Sequence, residues 1–170
     1  FKKNFTYSDV ENLGANCFDL FNKLKKAEYT VNSDSLSNNK KDLVGYFLHG
    51  IKLKSYKFEK YKNKSVNKIL SLNFPKSLKS SFLKNNTKYT SLLEGTIFTK
   101  DLVSEPGNIL HPDEYAKRLS SLRKDGLKIN IYDQNKLKKL GMHSLLGVGM
   151  GSVRGSYLVT IEWNGLKNNS

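Results

Sequence analysis

The sequence predicts an α/β protein. Apolar residues recur at helical spacing in several stretches, they alternate at a spacing of two in others, and the two kinds of stretch follow one another along the chain. With 170 residues, 38% of them hydrophobic, the chain has enough apolar side chains to bury a core.

The elements follow in order. Ser8-Asp9-Val10-Glu11 has the Ser-x-x-Glu form of a capping box, and Val10, Leu13, Cys17, Leu20, Phe21 and Leu24 then recur at helical spacing, predicting a helix over 9–26 with Cys17 facing inward between Leu13 and Leu20. The polar run Ser33–Lys41 reads as a loop. Leu43, Phe47 and Ile51 stand four apart and mark a second helix ending near Lys54. Val66 and then Leu70, Leu72 and Phe74 alternate toward Pro75 as a strand. The polar stretch Lys76–Asn86 reads as a loop.

From Lys88 to Val103 the pattern is helical again. Tyr89, Leu92, Leu93, Thr96, Ile97 and Val103 lie on one side and Phe98 and Leu102 on another, which points to contacts with two bodies. Pro106 ends this helix, because its ring disfavours helical geometry in the residue before it. Pro112 at a first helical position, with Asp113 and Glu114 behind it, opens a helix that turns Tyr115, Leu119 and Leu122 inward and that Gly126 caps. Leu127, Ile129 and Ile131 alternate as a strand. Asp133 caps a short helix carrying Leu137 and Leu140, Gly141 ends it, and Tyr157, Val159, Ile161 and Trp163 form a last strand.

Composition excludes several classes. The longest apolar runs are a few residues, far short of the roughly 20 that cross a bilayer. The single cysteine, Cys17, excludes an internal disulfide framework and a cysteine zinc cage, and a reducing compartment is the simplest setting. The net charge of +14 is uneven: 18 basic residues stand against 7 acidic ones up to Thr90, and 11 against 8 after it. Heavy use of Lys, Asn and Tyr fits an AT-rich genome as well as a polyanionic partner. The sequence begins at Phe1 and stops soon after a strand-like run, which reads as an excised piece of something longer.

Four features are candidates for chemistry. Five glycines fall within 141–155, but Gly147-Val148-Gly149-Met150-Gly151-Ser152 has Ser where a dinucleotide fingerprint needs its third Gly, and neither the lysine of a phosphate-binding loop nor a Gly-x-Ser-x-Gly turn is present. The plainer reading is that Gly147, Gly149 and Gly151 permit backbone conformations and close packing that a Cβ would forbid. His49, His111 and His143 are not spaced as metal ligands, and each reads as structural, His111 as the capping residue before Pro112. Cys17, on an inward helical face, reads as an inert buried thiol. Lys52–Lys64 interleaves Lys52, Lys54, Lys57, Lys60, Lys62 and Lys64 with Tyr56, Phe58 and Tyr61. Lysines neutralise phosphates and aromatic rings stack on bases, so this stretch is the candidate nucleic-acid contact; a solvated basic turn with inward-packed aromatics is the alternative. No catalytic constellation is complete.

Two longer stretches resemble one known family. Leu102–Ala116, LVSEPGNILHPDEYA, and Lys139–Ser152, KLGMHSLLGVGMGS, resemble the D-L-x-N-E-P-x-N-x-x-x-P-x-x-x-A and L-G-M-x-x-L-L-x-V-G-x-G-S stretches of the cytosolic leucyl aminopeptidases, a two-metal family that includes the bacterial aminopeptidase A. Gly50–Lys62, GIKLKSYKFEKYK, resembles the family's G-x-x-L-x-S-Y-x-F-x-x-Y-K. Ser104 stands where Asn is usual, Met150 where Gln is usual and Trp163 where Tyr is common.

The resemblance implies that 1–88 is the latter part of a macro-like N-terminal α/β domain, 89–105 an interdomain helix, and 106–170 the first strands and helices of the catalytic domain. It implies a hydrolase of cytoplasm, a homohexamer when full length, that removes N-terminal residues from peptides with two divalent metal ions, manganese or zinc. It also implies that the metal ligands, in V-G-K-G-x-x-x-D-x-G-G, a later Asp and N-T-D-A-E-G-R, follow the last strand, so that no catalytic or metal residue is expected within 1–170. Some family members bind DNA as accessory proteins. A stand-alone basic α/β module binding nucleic acid through Lys52–Lys64 is the competing expectation. In the family reading the glycine stretch is scaffold.

Overall fold

The computed structural model describes residues 5–24, 28–32, 42–63, 71–73 and 76–165, with the backbone alone for 76–86. The chain folds as two compact units, Phe1–Asp101 and Leu102–Ser170. The first contains α1 (Tyr7–Leu24), β1 (Glu28–Thr30), α2 (Asp42–Ser55), β2 (Ser71–Asn73) and most of α3 (Lys76–Ser104). The second contains α4 (Pro112–Ser120), a 3-10 turn (Ser121–Asp125), β3 (Lys128–Tyr132), α5 (Gln134–Lys139), α6 (His143–Gly149) and β4 (Leu158–Glu162).

In the first unit β1 and β2 run parallel, Tyr29 opposite Leu72, and α2 lies between them in sequence as the crossover that parallel strands require. Val44, Leu48 and Ile51 of α2 form the buried centre, with Phe18, Phe21, Phe47 and Leu72 against them. Each such side chain contributes about 1.5–3 kcal/mol by leaving water.

Helices α1 and α2 meet backbone to backbone at two glycines. A Cβ on Gly14 would overlap the Phe47 carbonyl, and one on Gly50 would overlap the Glu11 carbonyl. This contact corrects the expected face of α1. Val10 and Gly14 are buried and Phe18 and Phe21 pack on α2, whereas Leu13, Leu20 and Leu24 are exposed and Cys17 is half-buried. Periodicity of apolar side chains overlooks the residue that has none, yet only a glycine admits the other backbone so closely.

The N-terminal cap is also displaced from its expected position. Asp9 N–H donates to Thr6 Oγ1 at 3.2 Å and Thr6 N–H donates to Asp9 Oδ2 at 2.9 Å, a reciprocal box two residues ahead of Ser8 and Glu11. Residues 76–86 form the first part of α3, not a loop. No glycine or proline interrupts Lys76–Glu94, and a polar run without a breaker propagates a helix once one end is fixed. That end is Tyr89, which is buried, stands edge-on to Tyr46 at 5.1 Å and donates to the Asp42 carbonyl at 3.3 Å. Burial, with Tyr46 and Asp42 beside it, pushes the Tyr89 hydroxyl up to about 12. Val103, expected on a contact face, is 81% exposed. Of the predicted strand over 66–74 only β2 lies among the described residues; Val66, Leu70 and Phe74, like the predicted loop 33–41, lie outside them.

In the second unit β3 and β4 pair antiparallel, Ile129 opposite Ile161 and Ile131 opposite Val159. The punctuation expected from sequence sits where it acts. Pro112 begins α4, Gly126 adopts φ 85° after the 3-10 turn, and Asp133 accepts from Lys136 N–H at the start of α5. Gly141 adopts φ 71°, with Gly141 N–H donating to Lys138 O and Met142 N–H to Leu137 O, both at 3.0 Å, the paired bonds of a Schellman ending. Leu137 is fully buried. Tyr115, expected to face inward, is 44% exposed, and the neighbouring Ala116 is buried.

Two glycine substitutions test this packing. Gly14→Ala is expected to lower stability by about 1–3 kcal/mol through overpacking against backbone that cannot turn aside. Gly95→Ala, on α3 with open space around it, is expected to raise stability by about 0.5–1 kcal/mol. Thermal and urea unfolding of the two variants measures both signs.

Candidate functional site

The lysine-rich stretch begins in the last turn of α2 and continues into a turn over 56–63. Lys52, Lys54, Lys57, Lys60 and Lys62 are exposed, and Lys64 lies outside the described residues. Lys54 pairs with Asp19 at 3.2 Å, Lys62 with Glu59 at 3.7 Å, and the Lys60 ammonium stands 5.6 Å from the Tyr61 ring centroid. Tyr56 and Phe58 are half-buried. Tyr56 donates its hydroxyl to Asp101 at 2.7 Å, and Phe58 meets Tyr61 edge to face at 5.8 Å. The lysines therefore present charge to solvent, Tyr56 and Phe58 are partly withdrawn from it, and Tyr61 is 53% exposed.

The three histidines stand in different surroundings. His49 is buried with Nδ1 2.8 Å from Glu11 Oε1; an ionised carboxylate only accepts, so the imidazole donates from Nδ1. Its buried Nε2 has no hydrogen-bond partner among the described residues. His143 opens α6 and is exposed. His111 is the extended residue that precedes α4, and its carbonyl accepts the first helical bond from Tyr115 N–H at 2.9 Å. Its side chain does not cap the helix; Nδ1 bonds Asp113 Oδ1 instead, because the carboxylate two residues on competes for the same imidazole.

Asp113 also receives Arg154 at 3.5 Å, which gives the glycine stretch its role in the unit. Arg154 ties Gly151–Gly155 to the start of α4. Gly149 is the one of the three expected glycines where a Cβ would meet a neighbour, the Ser156 hydroxyl, which would have to rotate aside. Gly147 and Gly151 have open space and ordinary backbone, so the expectation of forbidden Cβ positions fails for them: the turn is loosely packed on that side.

A second charged group escaped sequence reasoning. Glu105, 1% exposed at its side chain, receives Arg118 Nη1 at 2.7 Å, and Arg118 Nε donates to Glu114 at 3.1 Å. The Glu114–Arg118 spacing of four was readable as a helical ion pair. The long-range partner was not, because nothing local marks Glu105 as the carboxylate that turns inward. The hydrogen bond from Arg118 holds Glu114 below the usual carboxylate range, and the two carboxylates raise Arg118. Partial desolvation alone would raise Asp113; the hydrogen bond from His111 and the charges of His111 and Arg154 outweigh it and leave the group lowered.

Among the described residues no three His, Cys, Asp or Glu side chains stand together as a metal-holding group. The carboxylates at Glu105, Asp113 and Glu114 are already committed to cations, so these residues do not fit a two-metal site. Burial raises the Cys17 thiol, as expected for an inert side chain. Among the described residues no helix is long and apolar enough to cross a membrane.

The family model and the curated relatives agree on one family, and the solved structures share the fold. Residues 97–170 match the model of the cytosol aminopeptidase family, catalytic domain. A probable cytosol aminopeptidase of Bradyrhizobium sp. is 41% identical over 122 residues, 69% of this chain and 24% of that protein. One from Phytoplasma australiense is 33% identical over 165 residues, 92% of this chain and 32% of that protein. Among solved structures, a mutant tomato leucine aminopeptidase superposes with a TM-score of 0.73 at 20% identity, covering 94% of this chain and 34% of that one. The bottromycin maturation enzyme BotP in complex with Mn gives 0.73 at 17% identity, with the same coverage. The chain spans about a quarter to a third of the length of these relatives.

Two measurements test the site. Asp113 and Glu114 have lowered values in the folded state, so their stabilisation is full above the ordinary carboxylate range near pH 4 and is lost as pH falls through the lower folded values. Thermal midpoints recorded from pH 6 to 2 are expected to drop below about pH 4, less steeply in Asp113→Asn. Any DNA binding by the turn is expected to be purely electrostatic. Replacing Lys57, Lys60 and Lys62 with Ala should lower the slope of log affinity against log salt on duplex DNA by about 2–3. A preference for single strands that disappears in Tyr61→Ala would restore base stacking to this stretch.

Proposed function

This chain belongs to the cytosol aminopeptidase family, and from that premise we propose that it is part of a metal-dependent leucyl aminopeptidase that removes N-terminal residues from peptides. The observation that carries the proposal is the match of 97–170 to the family's catalytic domain. In this reading 1–88 is the latter part of a macro-like N-terminal domain, 89–105 the connecting helix and 106–170 the beginning of the catalytic domain. The relatives' greater length supports placing the remainder of that domain elsewhere in the polypeptide.

The residues of this chain then have supporting roles. Glu105, Arg118 and Glu114 fix the start of the catalytic domain, and Asp113 with Arg154 ties the glycine stretch to α4. The metal ligands, two divalent ions of which manganese is the first to test, belong to the rest of the protein, and no step is assigned to a metal here. BotP in its Mn complex shares this fold, which favours manganese as that first choice. A cytoplasmic homohexamer acting on peptides is the corresponding whole, and the exposed Lys52, Lys54, Lys57, Lys60 and Lys62 form a solvated edge of its N-terminal part.

The test is hydrolysis of leucyl-amide substrates. The 170-residue chain alone is expected to show no turnover with manganese or zinc. The complete gene product is expected to turn over substrate, to lose activity to a chelator and to regain it with manganese. Metal-dependent turnover that follows the 170-residue chain through purification overturns the assignment of the metal ligands to the rest of the protein.

A further inference from the structure

Four interactions meet at one place in the first unit, around Ser55 and Tyr56 of the family-like stretch Gly50–Lys62. The Lys100 ammonium of α3 donates to the Leu53 carbonyl at 3.1 Å and stands 5.1 Å from the centroid of the Tyr56 ring. The Tyr56 hydroxyl donates to Asp101 Oδ1 at 2.7 Å. Ser55 Oγ donates to the Lys52 carbonyl at 2.8 Å. The last carbonyls of a helix lack partners within it and carry its negative dipole end, so an ammonium brought there by another helix satisfies an acceptor and a charge together.

We propose that Tyr56, Lys100 and Asp101 form a latch that fastens the lysine-rich turn 56–63 to α3, so that the turn opens as one cooperative piece when the latch is released. The parts depend on one another. Lys100 reaches Leu53 while lying over the Tyr56 ring, and the ring is held at that place by its hydroxyl on Asp101. The two α3 residues are consecutive, so displacing that part of α3 would disturb the contacts to Leu53 and Tyr56 together. Within the turn, Lys62 N–H donates to the Glu59 carbonyl at 3.0 Å, and Phe58 and Tyr61 pack on each other. These local contacts keep the segment together but do not attach it to α3. The latch attaches it to α3, and its state biases whether Lys57, Lys60 and Lys62 are presented on a fixed surface or on an open loop.

Proteolysis under native conditions reads the open population of such a segment when reclosing is fast. Trypsin cleavage after Lys57, Lys60 and Lys62 in the full chain is expected to be slow in the natural sequence. It should be about tenfold faster in Tyr56→Phe, which removes one hydroxyl, and faster again in Lys100→Met, which keeps the aliphatic stem. The Tyr56→Phe/Asp101→Ala double variant should match Tyr56→Phe alone, because each change removes one partner of the same bond. Cleavage after Lys138 in α5 serves as the internal standard and should not change. Rapid cleavage of the turn in the natural sequence overturns the latch, as does a rate unaltered by Tyr56→Phe. Acceleration at Lys138 in step with the turn also overturns it, since the residues would then support the whole chain and not this segment.

Discussion

The first unit depends on α1 and α2 approaching until backbone touches backbone. Gly14 admits the Phe47 carbonyl and Gly50 admits the Glu11 carbonyl, so each helix supplies one glycine to the other. Once the axes are that close, the remaining contacts are geometrically fixed. Phe18 and Phe21 reach the Val44, Leu48 and Ile51 cluster, Glu11 reaches His49, and Leu72 of β2 joins the core from the far side. A helix pair held further apart by side chains would leave His49 without its carboxylate and open the gap that those aromatic residues now fill.

The second unit solves a different problem, since it buries less and orders its chain largely through polar groups. Its large fully buried side chain is Leu137, and around it the helix ends are specified one by one. Glu105 is a buried carboxylate, and Arg118 within hydrogen-bond distance helps to offset its desolvation. Arg123 donates to the Ile129 carbonyl at 2.8 Å and so binds the 3-10 turn to β3. Across the sheet, Lys128 meets Glu162 at 3.1 Å and Asn130 meets Thr160 at 3.2 Å. Such directional bonds fix register where apolar area is modest.

Legibility followed from the range of the interaction concerned. The ends of α4 and α5 were readable because Pro112, Gly126, Asp133 and Gly141 act within a few residues of themselves. The polar start of α3 was misread as loop because polarity reports solvent exposure and not backbone conformation. The inward face of α1 was misread because two apolar stripes share that helix, Val10 to Phe21 and Leu13 to Leu24, and periodicity cannot choose between them. In the candidate site, the exposure of the lysines was legible from their number, whereas the engagement of Tyr56 with Asp101, forty-five positions away, was not.

By itself the sequence determined the mixed helix and strand content, the punctuation of the second unit, the absence of a cysteine framework and, through three ordered motifs, the family. These are properties of local chemistry or of residue order, and neither needs a folded chain to be read. Tertiary structure alone decided which stripe of α1 is buried, which carboxylate Arg118 meets, and where the aromatic residues of the lysine-rich turn are spent. Each of those outcomes is a choice among partners distant in sequence, settled by which groups the close glycine contact and the strand pairing bring within reach.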